Sequence, residues 1–83
     1  MKNKILIELY IVELDQTYNI CIPYNEYVGK VIQEIVKSAF ELADATNSKE
    51  EYYLINPENG IIYSNSSLII ETDIRNSKKV FLI

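Results

Sequence analysis

Acidic side chains are the first residues in this sequence that could perform chemistry. Glu8, Glu13, Asp15, Glu50 and Glu51 could together form a cluster of carboxylates. Acid–base catalysis by two carboxylates requires a fixed separation and environments that push their pKa values apart. These five residues fall at predicted strand ends and in loops, which favours a solvated surface over a catalytic pair. The sequence also lacks the closely spaced aspartates of a calcium-binding loop.

Cys21 is the only thiol in the sequence, and there is no His. A catalytic thiol needs a base to activate it or a second thiol to resolve it, and the chain offers neither. We interpret Cys21 as a small apolar residue that is buried or half-buried. The same absences exclude Cys–His catalysis, His-ligated or Cys-cluster metal sites, and disulfides within this chain. We therefore predict a protein that is not an enzyme and needs no cofactor.

The composition indicates one small folded domain spanning residues 1–83. Hydrophobic residues make up 48% of the sequence and charged residues 24%, which is typical of a globular protein. The net charge of −4 argues against nucleic acids and anionic lipids as partners. The N-terminal apolar run is interrupted at Glu8, and no run approaches the roughly 20 residues of a membrane span. We expect a cytoplasmic protein that has no secretory signal and does not insert into a membrane.

The periodicity of the apolar residues predicts a hairpin followed by a helix. Residues 4–13 and 17–22 alternate between the two faces of a strand, and the short polar turn between them favours an antiparallel pair. Asn25 is predicted to cap the helix that follows. Gly29 either fits a close approach there or weakens the start of the helix. The apolar residues of the helix form one stripe: Val28, Val31, Ile32, Ile35, Val36 and Ala39.

The second half of the chain is predicted to complete a sheet. Strands are expected at residues 51–55, 61–63 and 79–83, separated by turns rich in Asn, Pro, Gly and Ser. Residues 68–75 are expected to be irregular or to form one short helical turn. The predicted order is therefore hairpin, helix, strand, short strand, turn and final strand.

This order resembles that of ubiquitin-like proteins over nearly the whole chain. The most specific part is residues 68–74 followed by residues 80–83, which resembles the closing pattern of a short helical turn ending in Ile and a terminal strand. Ser77 and Lys78 stand where the family often has Gly-Asp, so the turn departs from the pattern. The resemblance implies an α+β, β-grasp fold, in which a mixed sheet of four to five strands packs on one helix.

A narrower resemblance is to the YukD/EsaB family, whose members are ubiquitin-like cytosolic proteins associated with type VII secretion in Firmicutes. It is based on residues 17–23 and on a helix that opens with Val28, Val31 and Ile32. It implies an accessory or regulatory component of that system, with a protein partner such as a membrane component of the secretion machine. The sequence ends at Ile83 without the Gly-Gly tail of conjugated modifiers, so we do not expect conjugation or sulfur transfer.

The outward face of the sheet is the predicted binding site. If Ile5, Ile7 and Leu9 face the helix, then Leu6 and Tyr10 face away from it. The same alternation exposes apolar residues on the other strands, and an apolar cluster there would be a surface for a partner protein. The residues assigned to this site are Leu6, Tyr53, Ile55, Phe81 and Ile83.

Two alternatives remain open at the level of the sequence. The strand register could be shifted by one residue, or loops could cover these side chains. The chain could also be a self-assembling structural domain, a homodimer that uses the same apolar face or the edge of the final strand.

Overall fold

The computed structural model describes residues 3–83 and contains one helix and four strands. The chain folds in the order of a hairpin, a helix and two further strands. Two short 3-10 turns lie between these elements, at Val12–Leu14 and Ile69–Glu71. The elements are β1 (Lys4–Ile11), β2 (Gln16–Pro23), α1 (Val28–Leu42), β3 (Leu54–Ile55) and β4 (Lys78–Leu82).

The four strands form one mixed sheet with the order β2-β1-β4-β3. β1 pairs with β2 in antiparallel and with β4 in parallel fashion, and β3 pairs antiparallel with β4. The predicted β-grasp architecture is confirmed. The final strand lies inside the sheet, so the expectation that its edge could mediate dimerisation was wrong. In the described part of the chain, the edge strands are β2 and β3.

The core lies between the helix and one face of the sheet. Ile7, Leu9 and Ile11 of β1 are fully buried, because alternate residues of a strand point to the same face. The predicted helical stripe meets them: its first four residues are buried, and Val36 and Ala39 are half-buried. Phe40 is also buried, and its ring lies 5.8 Å from that of Tyr52.

The start of α1 differs from the prediction. Asn25 does not cap the helix; Tyr27 occupies the N-cap position and makes no side-chain capping bond. Instead, the N–H groups of Val28 and Gly29 donate to the backbone carbonyls of Ser67 and Asn65, at 2.9 and 3.0 Å. These bonds satisfy donors that have no partner inside the helix. The helix start is therefore held by a loop that is distant in sequence.

Gly29 is explained by this close approach. A Cβ atom at position 29 would lie 3.1 Å from the carbonyl oxygen of Asn65 and 3.2 Å from its Cβ. Both distances are shorter than ordinary van der Waals contact, so any larger residue would push the loop from the helix. Of the two readings that the sequence allowed, the close approach is the correct one.

The predicted strands in residues 51–63 are shorter than expected. Tyr53 exchanges two hydrogen bonds of 2.9 Å with Ile83, and the regular ladder covers only β3. Residues 61–63 do not form a strand, since Ile62 makes only an isolated bridge to Ile55. The chain between β3 and Ile62 is held by polar contacts of the buried Asn56, whose backbone N–H donates to the Ile61 carbonyl at 2.9 Å. The expected short helical turn in residues 68–75 is confirmed at Ile69–Glu71.

Candidate protein-binding surface

The sheet face opposite the helix carries a row of apolar side chains that crosses three strands. Phe81 lies between Tyr10 of β1 and Ile55 of β3 in the strand register, and Ile62 pairs with Ile55 beyond the sheet edge. Residues in register share a face of the sheet, so these four side chains are neighbours. The rings of Tyr10 and Phe81 meet edge to face, with their centroids 5.1 Å apart.

A second pair extends this row. Tyr53 and Ile83 are opposite each other, as their reciprocal backbone hydrogen bonds show. Both are half-buried, as are Ile55 and Phe81. We call the combined set the open-face cluster: Tyr10, Tyr53, Ile55, Ile62, Phe81 and Ile83. It brings together four of the five residues that the sequence assigned to the binding site.

Leu6 is the fifth predicted residue and lies apart from the cluster. It is on the same face and is 46% exposed. Glu8 and Lys79, which are register partners on β1 and β4, form the row between Leu6 and Phe81. The open-face cluster is therefore bordered on this side by a row of opposite charges.

Two residues of the cluster were not among the predicted set. Tyr10 faces away from the helix by the same alternation as Leu6, so its place was readable from the sequence. Ile62 is 53% exposed, and its neighbour Ile61 is 59% exposed. The position of Ile62 depends on its bridge to Ile55, a contact between a loop and a strand that periodicity does not specify.

The tyrosine hydroxyls at the cluster rim are held by carboxylates. Tyr10 donates a hydrogen bond of 2.6 Å to Asp15, and Tyr53 donates one of 2.6 Å to Glu51. Each hydrogen bond raises the pKa of its tyrosine, since it favours the neutral hydroxyl. These bonds fix the polar ends of both rings and leave their apolar edges on the open face.

Among the acidic residues that could have formed a catalytic pair, Glu13 is held by structural hydrogen bonds. Glu13 accepts hydrogen bonds from the Tyr52 hydroxyl at 2.6 Å and from the Ser48 hydroxyl at 2.7 Å. These bonds hold the pKa of the Glu13 carboxyl below its usual range, the Tyr52 bond most strongly. Among residues 3–83, no group of three or more His, Cys, Asp or Glu residues is placed to hold a metal ion.

The interpretation of Cys21 as a buried or half-buried residue was wrong. Its side chain is exposed. Cys21 pairs with Leu6 across the hairpin, so it points to the open face from the edge strand β2. A side chain on an edge strand has a neighbouring strand on one side only, so it is more exposed. The sequence alone does not reveal which strand is at the edge.

Within residues 3–83, no helix combines the length and the apolar character needed to cross a bilayer.

Comparison with known proteins gives structural but no sequence relatives. No protein-family model and no curated protein sequence matches this chain. The ubiquitin-like domain of the Mycobacterium tuberculosis type VII secretion system protein ECCD1 is similar, with a TM-score of 0.75 and 9% identity over 96% of this chain and 97% of that domain. The fold of this chain is ubiquitin-like.

Two further structures show how the same fold occurs in larger assemblies. A chain of the MycP5-free ESX-5 inner membrane complex is similar with a TM-score of 0.71 and 9% identity, and the match covers 98% of this chain but 21% of the other. A chain of the toluene 4-monooxygenase HD complex with 4-bromobenzoate gives a TM-score of 0.79 and 6% identity over 95% of each chain. At these identities the similarity establishes the fold.

Proposed function

We propose that this ubiquitin-like domain is a non-catalytic module that binds a protein partner through the open-face cluster. The observation that carries the proposal is the continuous row of register partners Tyr10, Phe81, Ile55 and Ile62 across the sheet, in which the rings of Tyr10 and Phe81 meet edge to face. Contiguous apolar surface on a small domain is costly in water and is typical of a binding site. Leu6 belongs to the margin of this surface, beyond the charged pair of Glu8 and Lys79.

The chemistry of the cluster favours a protein over other partners. Two tyrosines, a phenylalanine and aliphatic residues form it, and aromatic residues are enriched in the cores of protein interfaces. The net charge of −4 opposes binding to the phosphates of nucleic acids. The partner surface that fits is an apolar patch with polar groups at its rim.

We further propose that the partner belongs to a type VII secretion machine. The support comes from the similarity to the ECCD1 ubiquitin-like domain and to a chain of the ESX-5 inner membrane complex, together with the resemblance of residues 17–23 to YukD/EsaB proteins. In this role the chain would act in the cytoplasm as an accessory or regulatory component. It would dock on a membrane component of the machine without inserting into the membrane.

Two other uses of the same face define the alternatives. A second copy of the chain could cover the cluster, which would make the protein a homodimer. The similarity to a chain of an oxygenase complex points to the other, a small subunit that docks on an enzyme. Both predict burial of the open-face cluster, and they differ from the secretion role in the identity of the protein that covers it.

Affinity capture from the source cell tests the proposal. The tagged chain is recovered under mild detergent, and the bound proteins are identified by mass spectrometry. We expect membrane components of a secretion machine with the wild type and their loss with the double variant Ile55→Asp, Phe81→Lys. Recovery of the chain alone, with a concentration-dependent mass in sedimentation, would instead indicate the homodimer.

The matched control places a charge on an exposed apolar residue elsewhere. Ile70 is 44% exposed and is not part of the cluster, so Ile70→Lys should retain the partner. Circular dichroism and thermal melting of each variant verify the fold, because Ile55 and Phe81 are half-buried. A folded double variant that still recovers the same proteins would contradict the surface assignment.

A further inference from the structure

Two carboxylates lie at one end of the open-face cluster. The Tyr10 hydroxyl donates to Oδ1 of Asp15 at 2.6 Å. The Tyr53 hydroxyl donates to Oε2 of Glu51, also at 2.6 Å. Asp15 follows the C-terminal end of β1, and Glu51 precedes the start of β3. Because β4 is parallel to β1 and antiparallel to β3, both positions are at the same end of the sheet. We call Asp15 and Glu51 the acidic rim.

The backbone holds the acidic rim in place together with the tyrosines. Asp15 has a φ of 50°, a left-handed conformation that aspartate tolerates, and its N–H donates to the Val12 carbonyl at 3.2 Å. Glu51 is two residues before Tyr53, whose N–H and C=O both pair with Ile83. The two carboxylates are therefore positioned before a partner arrives, which lowers the entropic cost of binding to them.

The acidic rim has no cationic partner among residues 3–83. Both ion pairs in this part of the chain are made by Lys78, which begins β4 at the opposite end of the sheet. Lys49 is two residues from Glu51, but its ammonium lies over the ring of the buried Tyr52, 5.9 Å from the ring centroid. Each rim carboxylate accepts one hydrogen bond from these residues, and its second oxygen can accept from a donor on another molecule.

The charges on the border of the cluster toward Leu6 oppose each other. Glu8 and Lys79 are register partners there, so their opposite charges largely cancel over the apolar side chains. The charge that a partner meets at the cluster is therefore mainly that of the acidic rim. It has the same sign as the net charge of −4.

We propose that the partner of the open-face cluster presents an apolar patch with Arg or Lys side chains at one end, which pair with Asp15 and Glu51. This inference rests on the proposed function, because it specifies the partner of the same surface. The apolar centre supplies most of the affinity, whereas the cations orient the partner and speed its approach. Arg suits the rim best, since its planar guanidinium binds a carboxylate and also stacks on a tyrosine ring.

A second copy of this chain matches the acidic rim less well. In a two-fold dimer the same patch of both copies forms the interface. The cation beside the cluster of the second copy would be Lys79, whose charge is opposed by its register partner Glu8. A homodimer would therefore gain little from the rim, and a basic surface on another protein is the better match.

Photocrosslinking from position 62 of the full chain tests the inference. Ile62 is 53% exposed and belongs to the cluster, and its replacement by p-benzoylphenylalanine leaves the rim and both tyrosines unchanged. We expect illumination in the source cell to give an adduct with another protein. Tandem mass spectrometry should locate the adduct in an apolar patch of that protein, with Arg or Lys at the border of the patch.

Neutral variants of the rim separate its charge from its structural role. Asp15→Asn keeps a residue that tolerates the left-handed conformation, and Glu51→Gln keeps an acceptor for the Tyr53 hydroxyl. At about 0.1 M salt, the double variant should bind the purified crosslinking partner about tenfold more weakly than the wild type does. At about 1 M salt, where charges are screened within about 3 Å, the two proteins should bind with similar affinity.

The matched control removes two charges from the other side of the sheet. Asp44 follows α1 and has a φ of 53°, close to that of Asp15, and Glu41 is an exposed residue of the last turn of α1. Asp44→Asn combined with Glu41→Gln has the same net charge as the rim variant. It should keep the affinity of the wild type, and thermal melting of both double variants verifies their folds.

Three results would overturn the inference and leave a protein-binding role of the cluster intact. The first is an unchanged affinity of the rim variant for the partner that position 62 captures. The second is an adduct in a patch bordered by Asp or Glu. The third is an adduct between two copies of this chain. The absence of any adduct from position 62 would instead contradict the proposed function, and this inference with it.

Discussion

Gly29 allows the start of α1 to contact a loop that is distant in sequence, because its side chain is a single hydrogen atom. Its N–H donates to the carbonyl of Asn65, and the two backbones are in direct contact. A glycine in a helix ordinarily lowers stability by about 1 kcal/mol relative to alanine. Here a Cβ atom would lie 3.1 Å from the Asn65 carbonyl oxygen, and this crowding opposes the helical gain of alanine.

We therefore expect Gly29→Ala to lower the free energy of unfolding by about 1 kcal/mol, because overpacking typically costs about 1–3 kcal/mol and exceeds the helical gain. Urea denaturation measures the change. Ser38→Ala, at an exposed position in the same helix, is the control and should be neutral or stabilising. An increase in stability with Gly29→Ala would contradict the close contact with Asn65.

Glu13 fixes the connection between α1 and β3 by contacts to Tyr52 and Ser48. The Tyr52 bond, followed by the Ser48 bonds, holds the pKa of Glu13 below its ordinary value of 4.5. A lowered pKa means that the folded state favours the ionised carboxylate. Its contribution to stability is complete above pH 4.5 and is lost as the pH falls through the lower pKa of the folded state.

The variant Glu13→Gln should therefore be less stable than the wild type at pH 7, and the difference should shrink toward pH 3. Urea denaturation at the two pH values measures it. Glu50→Gln, at an exposed carboxylate outside this contact, serves as the control. A difference that grows as the pH falls would show that the ionised form of Glu13 is not the stabilising one.

At the scale of elements, a polar contact holds the loop that positions Ile62. The hydroxyl of the buried Tyr63 donates to Asp73 at 2.6 Å, and the Asn56 amide donates to the same carboxylate at 3.3 Å. Burial and the Asp73 bond raise the pKa of Tyr63, so the folded state favours the neutral hydroxyl. This stabilisation is complete below pH 10 and is lost as the pH rises above it.

Tyr63→Phe should lower the free energy of unfolding at pH 7 by about 1 kcal/mol, the net value of a typical hydrogen bond. The destabilisation should diminish above pH 10, where the wild type loses its own contribution. Denaturation at pH 7 and pH 10.5 measures both effects. An unchanged stability at pH 7 would show that the contact with Asp73 does not anchor the loop.

The spacing of apolar residues predicted the elements that bury one face in the core. The stripe in α1 and the alternation in β1 each place apolar residues on a single side, so their existence and orientation follow from spacing. This alternation also predicted the outward direction of Leu6 and Tyr10. The predicted β-grasp order followed from these same elements.

Features that depend on distant partners were not predictable in this way. The cap of α1 comes from Asn65 and Ser67, which are remote in sequence, so the local signal of Asn25 misled. β3 is short because its regular pairing with β4 covers only Leu54 and Ile55. The position of Ile62 depends on its bridge to Ile55, and the exposure of Cys21 depends on the place of β2 at the sheet edge.

At the scale of the whole molecule, two surfaces of different character lie on opposite sides of one small sheet. The open-face cluster combines aromatic and aliphatic side chains, and an apolar groove lies on the helix side of the sheet, between β2 and α1. The proposed function requires that the open-face cluster contact a protein partner in the cell.

Photocrosslinking in the source cell tests for this contact. p-Benzoylphenylalanine is incorporated in place of Tyr53, inside the cluster, or in place of Ile70, outside it. We predict that illumination yields a covalent adduct with another protein from position 53 and none from position 70. Equal adducts from both positions, or no adduct from position 53 in a variant that folds normally, would contradict it.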